Sequence, residues 1–257
     1  SRGLGDVYKR QECYNPNSVS KIVDSRNRIL DVVNNYEYMS YNFGPTLLSW
    51  MEQFAPLTYE RIIKADIESI PEHNGHGNAL AQVYNHIIMP LANEEDKQTQ
   101  VKWGIRDFEY RFGRKPEGMW LAETAVDDDT LRVLEENGIK FTILSPYQAA
   151  KFRKKGEKEW TDVSWGNIDP ARSYRYYIKS APGKYIDLFF YDGAISRSVA
   201  FDELLKDGNK FSKRLKEGVS ECRDYPQLIN IATDGESYGH HTNCLLYTSD
   251  AADELDG

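Results

Sequence analysis

Apolar positions change their spacing several times along the chain, and each change marks an element. The run "YEYMSYNFG", Tyr36 to Gly44, alternates apolar and polar positions as a strand does and stops at Gly44-Pro45. Two stretches with apolar residues at helical spacing follow, Thr46 to Phe54 and Thr58 to Ile67. The same spacing runs through Glu94 to Phe112, where Gly113 supplies the stop. "GMWLAE" is then a short apolar strand ending on Glu123. "DDDTLRVLEENG" is a helix whose three leading aspartates suit its N-terminus and whose Gly138 suits its C-terminal cap. "IKFTIL" gives another strand, "YRYYIKS" and "YIDLFFY" flank a turn at Pro182-Gly183, Phe201 to Lys216 reads as helix, and "QLINIA" closes the series as a strand.

Strand and helix alternate, which predicts an α/β fold with mainly parallel strands, a barrel by default at this length. No internal repeat, low-complexity segment or linker interrupts the pattern. The two ends read differently. "SRGLGDVYKRQ" and "CLLYTSDAADELDG" back-translate into the two partner adaptors of a transposase sequencing library. Residues 1–11 and 244–257 are therefore expected to be adaptor-derived, and residues 12–243 to be one barrel domain truncated at both ends.

Composition narrows the function. The net charge is −8, and the one basic cluster, "KFRKK" at Lys151 to Lys155, is followed at once by Glu157 and Glu159, so it reads as a solvated loop or helix end. An acidic surface without a basic stripe argues against a nucleic-acid partner. No apolar run approaches the roughly 18 residues of a membrane helix, so no membrane partner is expected. Setting aside Cys244, the remaining Cys13 and Cys222 offer neither a disulfide framework nor a CxxC signal, which favours a reducing, cytoplasmic compartment.

The chemistry concentrates where apolar strands end. In a parallel barrel the strand interiors are apolar and their C-terminal ends open onto the face that carries active sites. "GMWLAE" ends in Glu123, and "QLINIA" runs into "TDGESYGHH", which brings Asp234, Glu236, Tyr238, His240 and His241. Two carboxylates from different strands at one end of a barrel, Glu123 and Asp234, are what a glycosidase needs as nucleophile and general acid. One of them has to be ionised to attack and the other protonated to release the leaving oxygen. Trp120 and Tyr238 suit a sugar's CH-rich face, and His76, His86 and His240 suit its hydroxyls. Each signal alone has an ordinary reading as core tryptophan, turn aspartate or loop histidine.

Taken together, the residues resemble glycoside hydrolase family 57, in particular the subgroup labelled α-amylase or α-mannosidase whose members carry an extra C-terminal domain of unknown function. The resemblance covers nearly all of residues 12–241. "MWLAETA" is similar to the family's third motif, which implies that Glu123 is the nucleophile. "TDGESYGHH" is similar to the fourth, which implies that Asp234 is the general acid/base. "HGNALAQVYNHIIMPLA" stands in place of the second, with His86 before Pro90 as the motif histidine. Leu80 falls where that motif has an acid, with Asn78 and Gln82 as polar neighbours. The first and fifth motifs are absent. The resemblance implies an incomplete (β/α)7-type barrel that acts on α-linked glucans or related glycans with retention, by hydrolysis or glycosyl transfer, without metal or organic cofactor. It implies His86, Trp120, Glu236, Tyr238, His240 and His76 as substrate contacts. The chain alone is expected to be inactive, for want of the first and fifth motifs.

Two rival readings use the same residues. His76, His86, Asp234 and His240 are types that ligate zinc, as in polysaccharide deacetylases or metal-dependent mannosidases, although no His-x3-His pair is present. A glycan-binding barrel without turnover is the other, against which the retention of both acids counts.

Overall fold

The computed structural model describes residues 10–239. The strands are β1 (Ser20–Val23), β2 (Ile29–Val33), β3 (Ala81–Gln82), β4 (Met119–Trp120), β5 (Phe141–Leu144), β6 (Lys151–Phe152), β7 (Thr161–Asp162), β8 (Ser173–Tyr177) and β9 (Tyr185–Phe190). The longer helices are α1 (Pro45–Phe54), α2 (Pro56–Glu72), α3 (Glu94–Phe112), α4 (Asp128–Glu136), α5 (Gly193–Phe201) and α6 (Gly208–Lys216). No described helix is long and apolar enough to cross a membrane.

One run of parallel pairings organises the fold. Tyr41 bridges Ala79, β3 pairs with β4, Gly118 bridges Phe141 at the head of β5, and β5 pairs with β9 in register from Phe141↔Asp187 to Leu144↔Phe190. Helices make the first three of these connections, whereas β5 reaches β9 through β6, β7 and β8. The run bends into an arc, and no closed barrel forms among the described residues. Its far edge is taken by β8, which pairs antiparallel with β9 from Ser173↔Phe189 to Tyr177↔Tyr185.

The helices cover one face of this arc. Along β5 and β9 burial alternates: Thr142, Leu144, Ile186, Leu188 and Phe190 are buried, while Phe141, Ile143, Asp187 and Phe189 are only half-buried. Gly104 of α3 shows how tightly the helix layer sits, because a Cβ there would lie 2.1 Å from the Gln82 carbonyl oxygen. α3 itself forms for local reasons. Asn93 caps it by accepting from the Asp96 N–H at 2.8 Å, three acids fill its first turn, and Gly113 at φ 67° ends it. Asp127 caps α4 through the Thr130 N–H and also accepts from Lys97 of α3 at 2.8 Å, which ties the two helices together.

Four expectations are corrected. Tyr36 to Gly44 is not a strand: Asn35–Glu37 is a 3-10 turn capped by Asn34, and only Tyr41 makes a sheet bridge. The alternation there serves an aromatic cluster instead, with Tyr36 to Tyr41 and Tyr36 to Phe43 ring centroids 5.0 and 5.6 Å apart. "QLINIA" is irregular, because β8 already occupies the edge of β9 that it would have joined. The helical stretch from Phe201 is split. Helix α5 begins earlier, capped by Asp192 through the Ile195 N–H, and Glu203 at φ 59° breaks the chain before Asp207 caps α6. The basic cluster starts as strand β6, with Lys151 and Arg153 lying over the Trp160 ring.

Candidate active site

Glu123 stands just past the end of β4, in a 3-10 turn at Ala122–Thr124. Leu121, Ala122 and Thr124 are buried in that turn and Glu123 is exposed. It is turned outward by a left-handed backbone, φ 54° and ψ 19°, followed by Thr124 at φ 53°. Two backbone bonds of 3.0 Å, Thr124 N–H to Leu121 O and Ala125 N–H to Ala122 O, hold the geometry. Left-handed residues other than glycine cost about 1–3 kcal/mol each, and their presence points to a functional constraint. His86 has the same conformation, φ 53°, in the exposed loop that follows β3, the strand beside β4.

Strand register places Trp120. It is paired with Gln82, so both side chains lie on one face, and alternation puts Met119 and Leu121 on the other, against the helices. Trp120 is half-buried on the uncovered face of the arc, the face that also carries Leu80, Phe141 and Phe189. Gln82 accepts there from Asn42 Nδ2 at 2.7 Å. Sequence reasoning missed Asn42, which sits in "SYNFG" with no charge or spacing to single it out.

Asp234 arrives from the opposite side. Segment 228–239 leaves the C-terminal end of β9, where the Asp192 N–H donates to Asn230 O at 2.8 Å and Asn230 Nδ2 donates to Phe190 O at 3.1 Å. It then crosses to the N-terminal part of the chain. Cys13 Sγ donates to Gly235 O at 2.9 Å, and buried Asn17 donates to Tyr238 O at 2.7 Å. Gly239, φ 135°, packs so closely that a Cβ would lie 2.0 Å from Glu12 O. Asp234 is thus suspended between the end of β9 and the helical turn Asn15–Ser18, exposed, heading the 3-10 turn Gly235–Ser237. Glu236 is half-buried in that turn, and the Tyr238 hydroxyl accepts from Thr233 Oγ1 at 3.1 Å. The Glu123 and Asp234 side chains make no hydrogen bond or ion pair with the described residues. His240 and His241 lie outside the described residues.

His76 is elsewhere. Its Nδ1 is 2.6 Å from Glu117 Oε2, and Glu117 also takes Lys140 Nζ at 2.6 Å. These three residues precede β3, β4 and β5, at the end of the strands opposite Glu123. Lys140, and then His76, hold the Glu117 carboxyl below its ordinary range. His76 thus lies in an ion cluster at the end of the strands opposite Glu123, and among the described residues no group of His, Cys, Asp and Glu is placed to hold a metal ion.

The profile of glycosyl hydrolase family 57 matches residues 9–255. The chain belongs to this family. Among family relatives, Alpha-amylase 1 of Dictyoglomus thermophilum is 24% identical over 201 residues, 78% of this chain and 26% of that protein. The 4-alpha-glucanotransferase of Thermococcus litoralis superposes with a TM-score of 0.65 at 18% identity, over 93% of this chain and 32% of that one. An exo-type maltose-forming amylase from Pyrococcus sp. ST04 gives 0.58 at 19% identity, over 86% and 37%. This family 57 chain thus spans about a quarter to somewhat more than a third of these relatives' length. At these identities the likeness to the solved structures is one of fold, and it sets the parallel run in a barrel-like architecture.

Proposed function

We propose that the protein cleaves or transfers α-linked glucan chains with retention of configuration, with Glu123 as nucleophile and Asp234 as general acid/base. The observation that carries this reading is two exposed carboxylates without partners among the described residues, Glu123 just past the end of β4 in left-handed backbone and Asp234 in the segment that passes the end of β9. Other acids of the same region are already committed: Asp127 caps α4, and Asp128 accepts from Tyr176 and Lys179.

In the first step Glu123 attacks the anomeric carbon. The bond to the glycosidic oxygen breaks, and Asp234 gives that oxygen its proton. The glycosyl ester on Glu123 is then attacked by water or by an acceptor sugar hydroxyl, whose proton passes to Asp234, and the Glu123 carboxylate leaves. Trp120 stacks on a sugar ring in the uncovered face of the arc, and His86, Glu236, Tyr238 and His240 bond its hydroxyls. On the wording of its motifs we assign the chain to the α-amylase/α-mannosidase-like subgroup. The test, on the protein extended to the length of its relatives, is a slow, activated α-glucoside analogue followed by peptide mass spectrometry. An adduct on Glu123 is expected; an adduct on another residue sinks the assignment.

A further inference from the structure

On the outer surface of α3, away from Glu123 and Asp234, the protein has a shallow groove of about 440 Å³, lined by Tyr84, Trp103, Arg106, Asp107 and Tyr110. Four of these follow one helical face at positions i, i+3, i+4 and i+7. Trp103 is 53% exposed and Tyr110 70%, an unusual expenditure of large aromatic surface on a helix whose other face already fills the core. The rings are also held in place. Tyr84 meets Trp103 edge-on, 5.5 Å between centroids and 82° between planes. The Arg111 guanidinium lies 5.8 Å from the centre of the Tyr110 ring, and it is itself fixed by Ser49, Glu52 and Asp107.

We propose that this groove is a second carbohydrate site, which holds a stretch of neutral glucan chain outside the active site. The chemistry of the lining selects that occupant. Aromatic rings present faces to the CH-rich side of a sugar, while Arg106 donates to hydroxyls and Asp107 accepts from them. The charges of the lining are already paired within the protein, Asp107 with Arg111 at 3.1 Å and Arg106 with Glu109 at 3.9 Å, which suits a neutral polyol better than an anionic or cationic ligand. Trp103 and Tyr110 are two helical turns apart, about 10.5 Å along the axis, so a chain of a few sugar units spans both. The groove opens at Tyr84, two residues before His86, so a bound chain lies alongside the end of β3 where the candidate active site begins.

This inference rests on α-glucan being the substrate class, and its test separates the two. The protein, a Trp103→Ala/Tyr110→Ala variant and a Glu123→Gln variant are run in native gels with and without soluble amylose. Circular dichroism and melting temperature check folding; Tyr110→Ser alone serves if the double variant does not fold. The double variant should lose roughly tenfold in affinity for amylose, as two stacking contacts are removed. Glu123→Gln should be retarded like the wild type, and in the protein extended to the length of its relatives the double substitution should leave turnover of a short α-glucoside unchanged. Equal retardation of the double variant and the wild type overturns the second site and leaves the catalytic reading intact. So does an unretarded wild type that still forms the Glu123 adduct. A change in oligomeric state on removing the rings, without a change in retardation, makes the groove a contact between copies and likewise overturns it.

Discussion

The two ends of the parallel run use their charges in opposite ways. Where the strands begin, acids are tied down. Asp66, wholly buried, takes two bonds from Arg114 at 2.8 and 2.7 Å and a third from the Ala79 N–H at 2.7 Å, and Glu117 is clasped between Lys140 and His76. Where the strands finish, His86, Glu123 and Thr124 sit in left-handed backbone, and the exposed Glu123 and, in the segment beyond, Asp234 have no partners among the described residues. One end ties its charges into the structure, and the other holds left-handed backbone and exposed carboxylates, a contrast that parallels the stability and active-site faces of barrel enzymes. A charged residue's partners, more than its presence, separate the two roles.

The largest expected effect falls on the second end. In the protein extended to the length of its relatives, Glu123→Ala should lower turnover by several orders of magnitude, with partial rescue by azide and inversion of the product, while the melting temperature stays close to wild type. A loss of stability as large as the loss of activity would move Glu123 to the structural end and break the comparison. Asp66→Ala should do the reverse. It leaves the Arg114 guanidinium without its buried partner and is expected to cost about 3–5 kcal/mol in urea denaturation, and a cost under about 1 kcal/mol would break the comparison from the other side. Glu123→Gly sharpens it, since glycine accepts the left-handed backbone: activity is lost, and stability should rise by up to about 1 kcal/mol. An unchanged or lower denaturation midpoint would mean that the turn is not strained. The smallest effect is at Glu117. Its folded pKa is depressed, chiefly by Lys140, so its contribution is present above the ordinary value of 4.5 and fades as pH falls through the lowered value. Glu117→Gln should therefore differ from wild type by less than about 1 kcal/mol at pH 7 and not at all in strong acid. A gap that widens on acidification would reverse the sign.

Much of this was legible in the sequence, and the failures have a common cause. Helices α3 and α4 were readable from spacing, acidic first turns and terminal glycines, because caps are local. The β8–β9 turn was readable from Pro182-Gly183. Local signals also brought Glu123 and Asp234 forward, as polar residues that end apolar runs. What the sequence hid was competition for partners. Residues 228–232 look like a strand but find the edge of β9 filled. His76 reads as a site histidine until Glu117, forty-one positions away, claims it. Left-handed backbone at Glu123 and His86 has no signature in residues that are not glycine.

The strand β8, which closes the edge of β9, also sets an order of events during folding. The two are joined by the short loop 178–184, so their hairpin can form on the order of 1–10 µs, whereas β5 must find β9 across a long intervening stretch of chain. Tyr177→Ala, which removes the Tyr177–Tyr185 ring contact near the turn, should then slow refolding, and Ile143→Val should mainly speed unfolding. Equal effects of both on refolding would contradict that order. β9 reaches its parallel partner as half of a finished ribbon. Its other edge is already mated, so only the edge bound for β5 stands open to a neighbouring molecule while the hairpin waits.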